Sequence, residues 1–288
     1  MTFDSQVMAP HSGSFMVPNN DLEIIHGDIP RGGFRSVLFD FDGTLSLIRE
    51  GWPQVMIPMM VEVLRETGTH ESESELLAAV EDFVMRLNGR QTIYQMIQLA
   101  DEVRARGGRP LEPLAYKHRY HDLLMKRIHG RLHDLETSQA RPEDWTVPGS
   151  HEFLQSLKNR GLNLFLASGT DLKYVCHEAE LLRLTQFFGN QVYGALDDYK
   201  NFSKKMVIER IIGDHDLQGD QLVGFGDGFV EIEEIKRVGG VAVAVASDEV
   251  NRRGINEWKR QRLIQAGADL VIPDFRQHEQ LLHYLFDA

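Results

Sequence analysis

"SVLFDFDGTLS", residues 36–46, places two aspartates, Asp40 and Asp42, at the end of a short β-branched and aromatic run. A Gly43-Thr44 turn follows at once. The apolar run has the length and composition of a buried strand. Its abrupt polar end sets two carboxylates where that strand leaves the core. In an extended chain, positions i and i+2 point to the same side, so both carboxylates face one volume. Aspartate and glycine are also ordinary turn residues, so the rest of the chain decides what the pair is for.

Residues 1–34, ahead of this stretch, are rich in Gly, Pro, Asn and Ser and read as a loosely ordered lead-in. Behind it, from 47 to 146, "PQVMIPMMVEVLRE", "ESELLAAVEDFVMRL", "QTIYQMIQLADEVRAR" and "PLAYKHRYHDLLMKRIHGRL" each repeat apolar residues at helical spacing. Gly68, Gly89 and Gly107 stand where helix C-caps belong, and Ser72 with Glu75 makes a capping box. This is an all-helical unit. After "VPGS" (147–150) apolar strands such as "LNLFLAS", "QLVGFGD", "VAVAVA" and "DLVIP" alternate with helices. That alternation predicts a parallel sheet covered on both faces. The expected fold is a doubly wound, Rossmann-like α/β core built from residues 35–46 and 147–288, with the all-helical domain, 47–146, inserted after the first strand.

Of the 288 residues, 42% are hydrophobic and 26% charged, which suits a globular chain with a real core. The formal charge of -12 opposes a nucleic-acid partner, because phosphate backbones attract clustered Lys and Arg. One cysteine, Cys176, excludes an internal disulfide and is expected in a core or half-buried position. No apolar run approaches the roughly 20 residues of a membrane helix, and the first residues lack a signal-peptide pattern. A cytoplasmic location without membrane contact is the expectation.

In doubly wound sheets, ligands bind beyond the carboxyl ends of the strands. Asp40 and Asp42 end the first strand, Ser168-Gly169-Thr170 ends a second and opens a helix, Lys204 and Lys205 start another helix, and Asp227 ends a further strand with Glu231 close behind. Asp40, Asp42, Asp227 and Glu231 are oxygen donors suited to a hard cation such as Mg²⁺. Ser168 at a helix N-terminus would cradle an anion, and a lysine would supply a point charge for phosphate oxygens. Together they describe phosphoryl transfer.

"FDFDGTLS", "ASGT", a lysine at a helix start and "GFGDGFVEIEE", in that order, resemble the four motifs of the haloacid dehalogenase (HAD) superfamily, most of whose members are Mg²⁺-dependent phosphatases. The resemblance covers the α/β core, and the helical stretch lies where that family carries its cap domain. It implies that Asp40 is the nucleophile, forming an aspartyl-phosphate, and that Asp42 is the acid/base. Gly43, Thr44, Ser168, Gly169 and Lys204 would bind phosphate, with Lys205 the fallback lysine. Metal ligands would be Asp40, Asp42 (through its carbonyl), Asp227 and Glu231. Aspartate is usual at the last position, and Glu231 is a longer carboxylate that reaches the metal directly or through water.

Arg49, Glu50 and Trp52 follow the acidic turn, and Gln91 precedes a cap helix; these would set specificity. Polar groups with an aromatic suit a small phosphorylated sugar or polyol. The expected function is a phosphomonoesterase. A phosphomutase on the same scaffold is the near alternative, and a receiver-like phospho-aspartate switch the distant one. His118 and His121, at i and i+3, have no third ligand at a matching position for zinc.

Overall fold

The computed structural model describes residues 15–16, 21–196 and 203–287. Its sheet contains β1 (Phe15–Met16), β2 (Glu23–Ile24), β3 (Ser36–Phe39), β4 (Asn163–Asp171), β5 (Val192–Ala195), β6 (Leu222–Gly226), β7 (Val241–Val245) and β8 (Leu270–Ile272). The spatial order is β1-β2-β8-β7-β6-β3-β4-β5. Strands β3 to β8 are parallel, whereas β2 pairs antiparallel with β8 and β1 with β2. The doubly wound α/β expectation holds.

Residues 1–14 and 17–20 of the lead-in lie outside the described residues. Residues 21–34 are tied to the core: Glu23 is buried and accepts Arg260 Nε and Nη2 at 2.6 and 2.5 Å. A two-residue strand is too short to give a periodic signal, which is why composition alone suggests looseness here.

Between β3 and β4 lie α1 (Pro53–Arg65), α2 (Glu73–Arg86), α3 (Thr92–Ala105) and α4 (Pro113–Glu136). The capping box on α2 forms, with Ser72 Oγ accepting from Glu75 N at 3.3 Å and Ser72 N donating to Glu75 Oε2 at 2.8 Å. The remaining helices are α5 (Ser150–Asn159), α6 (Leu172–Leu181), α7 (Thr185–Phe188), α8 (Lys204–Asp214), α9 (Phe229–Arg237), α10 (Glu257–Gln265) and α11 (His278–Phe286).

Pleating sorts the strands into two cores. Val37 and Phe39 join one apolar cluster while Leu38 joins the other. The first cluster runs on into the helical insertion through Met56, Phe83, Leu99 and Leu124. Under the carboxyl end of β3, Phe39 stacks on Phe225 with centroids 5.0 Å apart, and Phe153 stacks on Phe275 at 4.9 Å. Burial of each ring contributes about 1.5–3 kcal/mol, so the acids rest on a rigid aromatic floor.

The two connections to the insertion run side by side. Leu47 N donates to Trp145 O at 2.8 Å and Val147 N to Leu45 O at 3.0 Å, flanking an antiparallel bridge between Ser46 and Thr146. Arg131 of α4 clasps the first connection, donating to Ile48 O at 2.7 Å and Glu50 O at 2.8 Å, with its guanidinium over Trp145.

Candidate active site

Asp40 follows β3, the strand flanked by β4 and β6. Its amide donates to Phe225 O at 2.9 Å, so the backbone stays in the sheet as the side chain leaves it. Asp40 Oδ1 accepts from Lys204 Nζ at 2.8 Å, and the same ammonium donates to Glu231 Oε2 at 2.9 Å. Burial pushes the Asp40 carboxyl above the usual carboxylate range, against the pull of Lys204. Burial would also lower Lys204, yet Asp40 and Glu231 outweigh it and hold the ammonium above its ordinary value. With two carboxylates bonded to it, Lys204 stays a cation. Lys205 points away and stands exposed, 3.9 Å from Glu209.

Asp42 has different surroundings. Its Oδ2 accepts from Thr170 Oγ1 at 2.9 Å and Ser168 Oγ at 3.3 Å. Its buried Oδ1 has no hydrogen-bond partner among the described residues, and Arg49 Nε stands 3.6 Å away.

Ser168 departs from the expected helix start. β4 continues to Asp171, pairing with Ala195 after a register shift, and α6 begins only at Leu172. The Ser168 hydroxyl instead accepts from Thr170 N at 3.0 Å and turns to Asp42. Strand pairing with β5 overrides the Gly169 break that the sequence suggests.

Asp227 follows β6. Oxygens of Asp40, Asp227 and Glu231 lie within 4.8 Å of one another, a hard-donor set that fits a divalent cation such as Mg²⁺. Glu231 is long for this place and folds back: Oε1 accepts from Gly228 N at 2.7 Å, capping α9. A Cβ on Gly226 would meet Glu231 Cγ at 2.2 Å. Gly43 closes the turn at φ +76°, where a Cβ would come within 2.2 Å of Asp227 Oδ2. Thr44 is fully buried beneath the turn and does not line the cavity.

Sequence reasoning missed a second lysine. Lys259 of α10, 7% exposed, donates to Asp227 Oδ2 at 2.8 Å and Glu249 Oε1 at 2.6 Å. The two carboxylates outweigh burial and hold this ammonium above its ordinary value. Neither residue sits in a motif, since both lie beyond the last acidic one.

The acids floor a cavity of about 110 Å³. Its lining includes Arg49, Glu50, Trp52, Ser168, Gly169 and Lys204 from the residues expected, and Asn88, Arg90, Thr92, Gln95 and Tyr120 from the insertion. Gln91 is buried and does not line it, although both its neighbours do. Glu50 is held by Arg131 Nη2 at 2.9 Å.

Arg49 is engaged by Glu178 of α6, another residue the sequence did not single out. Nη2 meets Oε1 at 2.6 Å and Nε meets Oε2 at 3.0 Å. Both side chains are buried. Burial pushes Glu178 up against the pull of Arg49, while Glu178 and Asp42 outweigh burial to hold Arg49 above its ordinary value. A guanidinium does not deprotonate in proteins, and the forked hydrogen bonds suit a carboxylate, so the pair is ionic.

His121 stacks on Tyr174 at 4.0 Å, which accounts for its place without a metal. Cys176 is exposed rather than core or half-buried. Among the described residues no helix is long and apolar enough to cross a membrane.

Solved structures share this architecture. A conserved haloacid dehalogenase-like protein of unknown function from Agrobacterium tumefaciens superposes with a TM-score of 0.56 at 18% identity, covering 87% of this chain and 98% of that one. A predicted phosphoglycolate phosphatase from Haemophilus somnus gives 0.56 at 18% identity over 86% and 98%. The β-phosphoglucomutase of Clostridium difficile gives 0.56 at 11% identity over 88% and 98%. At such identities the likeness is one of fold. Among curated proteins none matches this chain. The family model for haloacid dehalogenase-like hydrolases matches residues 34–239, most of the 288, and so the chain belongs to the haloacid dehalogenase-like hydrolase family.

Proposed function

We propose that this hydrolase is a Mg²⁺-dependent phosphomonoesterase acting on a small phosphorylated metabolite, a sugar or polyol phosphate, through an aspartyl-phosphate on Asp40. The observation that carries this reading is the difference in surroundings between the paired aspartates. Asp40 shares a buried ammonium with Glu231, whereas Asp42 is held through one oxygen by two hydroxyls and keeps the other unbonded among the described residues.

Lys204 offers its charge to the phosphate as the ester docks over Asp40, and the Ser168 hydroxyl lies within reach of the same group. An Asp40 oxygen attacks phosphorus while the ester oxygen departs. Asp42 gives that oxygen its proton. It then takes a proton from the water that attacks the acyl phosphate, restoring Asp40. Asp40, Asp227 and Glu231 would hold the Mg²⁺, which supplies positive charge to offset the phosphate and carboxylate at contact. Glu50, Trp52 and the insertion's Asn88, Arg90, Thr92 and Gln95 share the cavity lining with the acids and take up space that water would otherwise fill.

The helical insertion that lines the cavity beside the acids supports turnover over a receiver-like switch, which needs only a compact α/β core. The test is Asp40→Asn assayed with Mg²⁺ and phosphate esters. Turnover should disappear with the fold intact, and acid-quenched wild-type protein should carry phosphate that the variant lacks. Substantial activity in the variant would refute Asp40 as nucleophile. Transfer of the phosphoryl group to a second sugar rather than water would select the phosphomutase alternative.

A further inference from the structure

A second cavity of about 90 Å³ adjoins the first, with Arg49, Thr92, Tyr120, Gly169 and Thr170 lining both. The two chambers differ in charge. Among the described residues, Asp40, Asp42, Glu50, Asp227 and Glu249 oppose Arg49, Arg90 and Lys204 in the catalytic chamber. In the second, Arg49, Lys117 and Lys173 face one lining carboxylate, Asp171, with Glu178 bonded to Arg49 from outside the lining. A ligand that spans both chambers therefore runs from an acidic volume into one where cations outnumber carboxylates.

The basic chamber is built from both halves of the molecule. Lys117 comes from α4 and pairs across the gap with Asp171 at the start of α6. Lys173 Nζ lies 4.7 Å from the centroid of Tyr174, and His121 of α4 stacks on the same ring. The Lys117 side chain is only 12% exposed, while Lys173 and His118 stand exposed at the chamber's edge. An ammonium carries three donors, so Lys117 can hold a ligand anion without releasing Asp171. Such an anion would bridge insertion and core where they already meet.

We propose that this chamber binds a second anionic group, a carboxylate or a second phosphate, at the far end of the phosphate ester whose reacting end sits over Asp40. The inference rests on the catalytic cavity being the phosphate site. It narrows the substrate class to small phosphorylated acids, sugar acids included, or bisphosphates, with Lys117 and Lys173 as the counter-charges.

Three phosphonates of similar length test it by calorimetric titration of the Mg²⁺-loaded protein: propylphosphonate, 3-phosphonopropionate and 1,3-propanediphosphonate. At least one doubly anionic probe should bind about tenfold more tightly than propylphosphonate, and which one does so separates a carboxylate from a second phosphate. In Lys173→Met and in Lys117→Met that advantage should shrink to within about twofold. Equal binding of all three probes, no binding by any, or an advantage that survives both substitutions would overturn the proposal. Wild-type hydrolysis of an aryl phosphate, which has no second anion, reads the phosphatase assignment separately.

Discussion

Arg49 and Glu178, 129 residues apart in the chain, meet as a buried forked ion pair that holds the guanidinium 3.6 Å from Asp42 Oδ1. The pair ties the loop after β3 to α6, on the opposite side of the insertion in sequence. Glu178 thereby fixes the position of the cation nearest the proposed proton donor.

Removing Glu178 leaves the buried Arg49 guanidinium with only the looser contact to Asp42 at 3.6 Å. Glu178→Ala should lower the unfolding free energy by about 3–5 kcal/mol in urea titration. The double variant Arg49→Met with Glu178→Met should cost clearly less than the sum of the singles. Strict additivity would mean that the two charges are not coupled.

Gly43 occupies a left-handed turn against Asp227. Gly43→Ala must strain that turn, at about 1–3 kcal/mol, and displace the Asp227 carboxylate. Calorimetry should find Mg²⁺ binding weakened by about tenfold or more, with the far-ultraviolet spectrum kept. Unchanged Mg²⁺ affinity would place Asp227 outside the metal site.

Arg262 of α10 donates to the carbonyls of Met85, Arg86 and Asn88, the exposed end of α2, while lying 4.6 Å over Phe229. A helix C-terminus leaves carbonyls without partners, and a guanidinium satisfies several at once. Arg262→Ala should cost about 1–2 kcal/mol locally. Amide exchange across 85–92 should accelerate and KM should rise more than kcat falls. Exchange equal to wild type would show that other contacts hold this segment.

Burial, with Arg49 nearby, depresses the His121 imidazolium below its usual 6.5. The unfolded chain therefore takes up this proton first as pH falls. Stability from neutral His121 is complete above about 6.5 and declines as pH drops through the folded-state value. NMR titration of the ring should give a midpoint below 6.5, and His121→Gln should flatten that part of the pH–stability curve. A midpoint above 6.5 would reverse the sign and refute the argument.

The sequence made the strand ends legible because the chemistry is local. Asp40 and Asp42 lie two apart on one extended segment, and Asp227 and Glu231 lie on one loop-to-helix start. Lys204 was legible through its place at a helix start. Glu178, Glu249 and Lys259 were not, since each reaches the site from a helix or loop whose pattern reads as an ordinary surface. Their role appears only once the fold packs α6 against β4 and β5 and α10 against β7, on either side of the catalytic strands. Ser168 was read as the end of a strand opening directly into a helix, whereas the strand runs on to Asp171, because pairing with β5 is a tertiary effect that local propensity does not record. Gln91 illustrates the opposite error: its position beside the cavity was readable, its side-chain direction was not.

The paired crossings at Leu45–Leu47 and Trp145–Val147, with Arg131 fastened across the first, stitch the insertion to the core beside the acids. Asn88, Arg90 and Thr92 share one cavity lining with those acids, so a change at either crossing is felt as a change in the size of the catalytic volume itself.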